Sequence, residues 1–502
     1  MAGKATVTLI FISKNLRRGL RHLPESRFSK MKKIALLLLL LPATLLAQKP
    51  MWQPLFDGKT LSGWRQLGGQ ARYELKDGII VGTAVEGTPN SFLTTEKTYG
   101  DFIFECEVNV DEGLNSGIQF RSLSKPEFEN GRVHGYQVEI DATDRAFSGG
   151  IYDESRRGWL YVPELNPAAQ TAFRRNNAWN LYRIEAIGHS LRTFVNGAEV
   201  AHVIDDMTAE GFFCLQVHSI GSKEEAGKQV RWRNIRIQTS NLKPSPPGNI
   251  RVVNLIPNDL SEIEKSLGFK LLWDGKTTAG WRGAYKNAFP ATGWEIRDGE
   301  LRVQKSAGAE AANGGDILTL EQFGAFELVF DFNLSEGANS GVKYFVREFL
   351  QYTHEFQPGQ PMTVPAEHAQ KGSAIGLEYQ ILDDARHPDA KLGAGGNRTL
   401  ASLYDLIPAD KTGYRSRAVR QPGEWNQGRI VVHPDSRVEH YLNGYKMLEY
   451  KRLSPLFNAL VERSKYVVWG KEFGSAAKGP ILLQDHGDAV RFRSIKIRSL
   501  EK

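Results

Sequence analysis

Apolar and polar residues alternate along several stretches of this chain, as strands buried on one face require. Phe102-Ile-Phe-Glu-Cys-Glu-Val-Asn-Val110 and Phe326-Glu-Leu-Val-Phe-Asp-Phe-Asn-Leu334 show the pattern, as do Trp179–Val195 and Trp425–Leu442. The last two run into Asn196-Gly197 and Asn443-Gly444, the pair that most favours a tight hairpin turn. A short helix is expected at Ser261–Leu267, with Ser261 as N-cap and Glu264 closing a capping box. The dominant period of two predicts an all-β chain of antiparallel sheets packed face to face, in the manner of a jelly roll.

The pattern occurs twice. Phe56-Asp-Gly-Lys-Thr-Leu-Ser-Gly-Trp64 returns as Trp273-Asp-Gly-Lys-Thr-Thr-Ala-Gly-Trp281, and Asn115-Ser-Gly117 returns as Asn339-Ser-Gly341. The closing Val230-Arg-Trp-Arg-Asn-Ile-Arg-Ile237 returns as Val490-Arg-Phe-Arg-Ser-Ile-Lys-Ile497. Matched segments keep their order, which marks a domain duplication. The offset between matched positions grows from 217 to 260, so copy two carries insertions, chiefly Arg347–Ser373 and the stretch after Asp383. The first reads as a long loop. These bounds place the copies at residues 52–239 and 268–500. Residues 240–267 join them through Lys243-Pro-Ser-Pro-Pro-Gly248, which reads as a stiff linker.

Charge changes the picture only at the N-terminus. The net charge of the 502 residues is +7, yet residues 1–33 hold nine basic side chains against one acid. That segment accounts for the whole excess, so a nucleic-acid partner loses its electrostatic warrant. Met31-Lys-Lys33, the apolar Ile34–Leu41 and the small Ala47 before Gln48 predict a signal peptide inside a 1–47 leader. Met31 is the expected true start, and the mature protein is expected in the periplasm or outside the cell. The apolar run is too short to span a bilayer comfortably, and no membrane helix is expected in the mature chain. Cys106 and Cys214 lie in strand-like segments. An oxidising compartment permits a bridge between them, although strand cysteines also serve as small core residues.

Candidate chemistry gathers on matched strands. In Gly376-Leu-Glu-Tyr-Gln-Ile-Leu-Asp-Asp384, Leu377, Tyr379 and Ile381 share the core face, and Glu378 and Gln380 share the other, about 7 Å apart by strand rise. In copy one Tyr136, Val138 and Ile140 turn inward, while Gln137, Glu139 and Asp141 line the opposite face. The copies thus exchange acid and amide, both of which hydrogen-bond sugar hydroxyls. A second cluster pairs Gln484-Asp485-His486 with Gln216-Val217-His218. Asp485 and His486 offer metal ligands, but no ligand spacing elsewhere defines a geometry, so a divalent metal stays open and no cofactor is required. Asn115 and Asn339 precede Ser-Gly, which suits a tight turn as well as a ligand contact. Arg121, Tyr152 and Trp159 in copy one, and Arg386, His387 and Tyr404 in copy two, complete the candidate set; Trp159 is available to stack on a sugar ring. Phosphate loops, nucleophile elbows and zinc-protease histidine pairs do not occur.

These residues resemble the 3-keto-disaccharide hydrolase family, whose members adopt a concanavalin A-like lectin/glucanase sandwich. The likeness rests on Asp-Gly-Lys-Thr…Gly-Trp, Asn-Ser-Gly, Glu378-Tyr-Gln-Ile-Leu-Asp383 and Gln484-Asp-His-Gly487, and it spans both copies. Copy one departs at Gln137 and Val217, so copy two carries the fuller set. The resemblance implies a saccharide substrate already oxidised to a ketone at carbon 3, cleaved by direct hydrolysis or by β-elimination followed by hydration. On that reading Glu378 or Asp383 serves as base, with His486, Lys343 or Tyr404 as acid or enolate stabiliser. Gln380, Asn339 and Gln484 orient hydroxyls. Asp383 has the wrong strand parity to stand beside Glu378 unless a bulge turns it. The rival expectation is a carbohydrate-binding protein without catalysis, since the fold serves lectins equally.

Overall fold

The computed structural model describes residues 52–306, 311, 313–348, 355–357, 360–361 and 374–501. The 1–47 leader lies outside the described residues, as does the 347–373 insertion beyond residues 347–348 and a short ribbon pairing Glu355–Gln357 with Gln360–Pro361.

Each copy is a two-sheet sandwich. In copy one the larger sheet runs Val253–Asn254, Ala198–Ile204, Ser190–Val195, Asn180–Ile187, Phe102–Val110, Gln229–Gln238, Ile79–Thr83 and Arg72–Lys76, with Gln53–Pro54 beside Gln229–Gln238. The smaller runs Gly158–Tyr161, Ile151–Glu154, His134–Asp141, Asn115–Leu123, Phe212–Val217, Ser91–Thr95 and Trp64–Gly68. Copy two repeats the scheme. Its larger sheet is centred on Phe326–Leu334 between Val490–Ser499 and Asn426–Val432. Its smaller sheet runs Trp281–Gly283, Ile317–Thr319, Leu482–Leu483, Asn339–Arg347 and Ile375–Leu382. The Asn-Gly hairpins form as expected: Asn196, Gly197, Asn443 and Gly444 all take positive φ, the conformation a two-residue turn between twisted strands demands.

Alternation builds the cores. Phe102, Phe104, Cys106 and Val108 face Ile118, Phe120, Tyr136, Val138 and Ile140 in one sandwich. Phe326, Leu328, Phe330 and Phe332 face Val342, Tyr344, Leu377, Tyr379 and Ile381 in the other. Cys106 and Cys214 are buried and unbridged, so the bridge does not form. Cys106 faces the core, while Cys214 lies on the smaller sheet with its thiol 3.4 Å from Gln119 Oε1.

The two sandwiches are docked. Phe147 and Val162 of copy one join the core cluster of copy two. The Asn443-Gly444 turn sits so close that a Cβ at Gly444 would lie 3.2 Å from Val162. Arg420 donates to the Trp159 carbonyl at 3.4 Å. The linker is stitched down rather than free. Arg192 donates to the carbonyls of Ser245 and Pro246, Glu185 accepts from Ser245, and Val253–Asn254 adds a parallel strand to copy one. Arg251 then reaches Glu327 of copy two at 2.5 Å. The expected helix forms over Glu262–Ser266 with its capping box intact. Among the described residues no helix is long and apolar enough to cross a membrane.

Candidate functional site

Strand parity puts Glu378 and Gln380 on the outer face of the smaller sheet of copy two, opposite Leu377, Tyr379 and Ile381 in the core. This face is not solvated. Glu378 and Lys343 are 5% exposed, Gln380 is 1% and Asp316 is 0%. Ionisable groups survive such burial only when paired or put to use. Lys343 stands directly across the ladder from Glu378, and its Nζ lies 3.5 Å from Asp316 on the other side and 3.2 Å from the Ala374 carbonyl. Three neighbouring positions therefore place an ammonium between two carboxylates. Gly341 makes the room: a Cβ there would run into the Glu378 carboxylate. Along the same face Gln380 Nε2 points to Asn339 Oδ1 at 3.4 Å, and Gln380 Oε1 is buried without a partner among the described residues.

Beyond Asn339 the face ends in His387, His486 and Asp488, whose ligand-type atoms lie within 4.8 Å of one another. Burial, and then the neighbouring His486, push the His387 imidazole below its ordinary pKa. The loop is fixed by Asp485. Its carboxylate accepts from the backbone N–H groups of Gly314, Gly315 and Gly487 at 3.0–3.2 Å, and its own N–H donates to Asp316. Asp488 in turn accepts from Asn339 N–H at 3.1 Å.

The matched face of copy one is closed on itself. Gln119 donates to Gln137, Gln137 to Glu139, and Asn115 to Glu139. Arg145 bridges Glu139 at 2.6 Å and Asp141 at 2.8 Å while lying over Phe147 and Trp159. Burial still raises the Glu139 pKa against Arg145. At Asp141 the Thr143 hydrogen bonds and Arg145 outweigh burial and hold the carboxyl below its usual range. The counterparts of Asp316, Lys343 and Glu378 by register are Phe92, Gln119 and Gln137.

Several expected site residues lie elsewhere. Asp383 does not join Glu378, because the register runs without a bulge from Leu377 to Leu382. Its carboxylate instead accepts from Gly337 N–H at 2.8 Å and pairs with Arg386, which with the turn's amides outweighs burial and lowers its pKa. Arg121 turns off the polar face at a bulge, with φ 45°, and donates to the carbonyls of Gly100 and Gly188. Trp159 is half-buried, meeting Phe147 and Tyr152 edge to face with the Arg145 guanidinium over its ring. The Asp485 carboxylate is spent on backbone amides. Tyr404 donates its hydroxyl to Asp389 at 2.8 Å, and burial followed by that bond raises its pKa, which makes it a poor acid. His218 holds the Ser219 carbonyl at 2.6 Å. Gln484 keeps the register seen at Gln216: each carbonyl accepts from the matched serine, Ser340 or Ser116. Asp316 and Asp488 belong to the face although no motif in the sequence marks them. The exchange of Phe92 for Asp316 between aligned copies was the available signal for the first.

The 3-keto-alpha-glucoside-1,2-lyase-like domain family matches the chain twice, over residues 51–238 and 268–498. A curated relative, the 3-keto-disaccharide hydrolase of Bacteroides thetaiotaomicron, is 36% identical over 245 residues, which is 47% of this chain and 79% of the relative. Among solved structures, a Parabacteroides distasonis protein assigned to the glycosyl hydrolases is 27% identical, with a TM-score of 0.37, over 49% of this chain and all of its own. A Bacillus subtilis protein with a galectin-like fold aligns at 13% identity and a TM-score of 0.30, over 38% of this chain and 94% of its own. With both sandwiches matched, the chain belongs to the 3-keto-alpha-glucoside-1,2-lyase-like domain family.

Proposed function

We propose that copy two cleaves the glycosidic bond of 3-keto-glycosides by β-elimination followed by hydration. The buried line Asp316–Lys343–Glu378 carries this reading, because three desolvated charges are costly and copy one keeps none of them. A ketone at carbon 3 acidifies the proton on carbon 2. Glu378 removes that proton, and the electron pair passes to the ketone oxygen as an enolate. Lys343 lies across from Glu378 and offsets the developing negative charge. Collapse of the enolate restores the ketone, forms a double bond between carbons 1 and 2, and expels the aglycone. The departing oxygen takes its proton from an acid on the His387–His486 side of the face. Water then adds across the double bond, hydroxyl to carbon 1 and proton to carbon 2. The name of the Bacteroides relative supports a 3-keto-disaccharide as the substrate class.

The test is incubation with a 3-keto-disaccharide and with its unoxidised parent in heavy water. Cleavage of the ketone alone, with deuterium at carbon 2 of the product, is expected. Cleavage without deuterium would replace elimination by direct hydrolysis, and binding without any product would reduce the protein to a lectin.

A further inference from the structure

We propose that His387, His486 and Asp488 form a binding site for a divalent first-row transition cation at the end of the polar face of copy two. Three observations meet there. Two imidazoles and a carboxylate bring one ligand atom each within 4.8 Å of the others, and among the described residues no other such cluster occurs. Two nitrogens and one oxygen suit manganese, iron, cobalt, nickel or zinc, and they leave coordination positions open for substrate or water. Second, among the described residues His486 Nδ1 is buried with no hydrogen-bond partner, a state that calls for an ion or a water. Third, the ligands are held from behind. Asp485 fixes Gly487, which lies between His486 and Asp488, and Asn339 N–H fixes one oxygen of Asp488. Such outer contacts orient ligands in advance. Binding ends one weak bond, the 3.2 Å contact from Asp389 N–H to His387 Nδ1, whether the cation takes that nitrogen or moves the ring proton onto it.

Copy one sharpens the assignment. Counted from the matched strands, His387 becomes Ala146 and Asp488 becomes Ile220, with only His218 retained. There Arg145 brings a fixed guanidinium to Glu139 and Asp141. By the same count Arg145 becomes Arg386, which in copy two pairs with Asp383 and Glu336 instead, so no guanidinium closes the end of that face. Resting on the elimination proposed above, the cation polarises the ketone oxygen, and water bound to it, rather than an imidazole, protonates the departing oxygen.

The experiment removes metal from the full chain with a chelator and titrates it with cobalt(II), read by visible absorption, and with manganese(II), read by electron paramagnetic resonance. About one cation per chain is expected. A His387→Asn/Asp488→Asn variant keeps acceptors for Asp389 N–H and Asn339 N–H, so it is expected to fold. Its affinity falls by at least about tenfold, the lower bound for losing even an outer-shell partner, whereas His218→Ala leaves affinity unchanged. Equal affinity in wild type and the double variant, or no binding by wild type, would overturn the site. Cleavage that persists in metal-free protein would leave the elimination standing and remove the cation's part in it. A bound cation without cleavage of the 3-keto substrate would do the reverse.

Discussion

In copy two, Lys343 and Glu378 stand on adjacent strands of the smaller sheet and Asp316 just precedes its strand Ile317–Thr319; the same positions of copy one hold Phe92, Gln119 and Gln137. Both faces are buried, so solvent explains neither. Copy one lowers the cost of burial by replacing one acid with the apolar Phe92 and the other two groups with amides that hydrogen-bond to each other, and by closing its remaining carboxylates with Arg145. Copy two keeps two carboxylates and an ammonium in the dry. Replacing such groups by neutral ones is often neutral or stabilising, and copy one shows that this fold accepts the replacement. Their retention in copy two points to chemistry rather than to architecture.

The comparison breaks most readily at the proposed base. Glu378→Gln should lower kcat/KM on a 3-keto-disaccharide by about 10²–10⁴, the usual contribution of a general base, while Glu139→Gln leaves it unchanged. Equal losses would restore copy one as a catalyst.

Acid should separate the copies next. Burial holds the His440 imidazole down to about 3 in copy two and His202 down to about 4 in copy one. The folded protein then binds fewer protons than the unfolded one, whose histidines titrate near 6.5. Each histidine costs about 1.4 kcal/mol per pH unit below that value. The loss should level off near pH 4 for His202 and continue toward pH 3 for His440. Copy-resolved hydrogen exchange between pH 7 and 3.5 reads the difference; parallel losses down to pH 3.5 would refute it.

The smallest effect tests the two glycines under the face. Gly341→Ala displaces the Glu378 carboxylate and Gly117→Ala displaces Gln137. Both should destabilise by about 1–3 kcal/mol, the usual cost of overpacking, but only Gly341→Ala should also lower kcat. Matching melting curves with unequal turnover would place the distinction in chemistry, and unchanged turnover in both would dissolve it.

Period-two alternation made the sandwiches legible, because one side of each strand must be dry. It also separated Leu377, Tyr379 and Ile381 from Glu378 and Gln380 correctly. Alternation failed where the backbone departs from a regular ladder. Arg121 follows Asn115, Gly117 and Gln119 in phase, yet its positive φ sends it away from their face. Asp485 sits beside His486 in sequence, but its carboxylate meets the amides of Gly314 and Gly315. His387 comes from a separate loop and meets His486-Gly487-Asp488 only through the fold, so no local spacing joins it to them.

The docked linker has a consequence for how the halves depend on each other. Glu327 is enclosed by Arg251, Arg429 and Arg498 and is held down to about 2. One of those three cations comes from the linker. A second copy expressed alone from residue 268 would forfeit that counter-charge. It would also bare the Gly444 turn and the apolar surface that meets Val162 and Phe147. The molecule is in effect a heterodimer whose subunits share one chain. Whatever the first half does chemically, its shape is answerable to its partner.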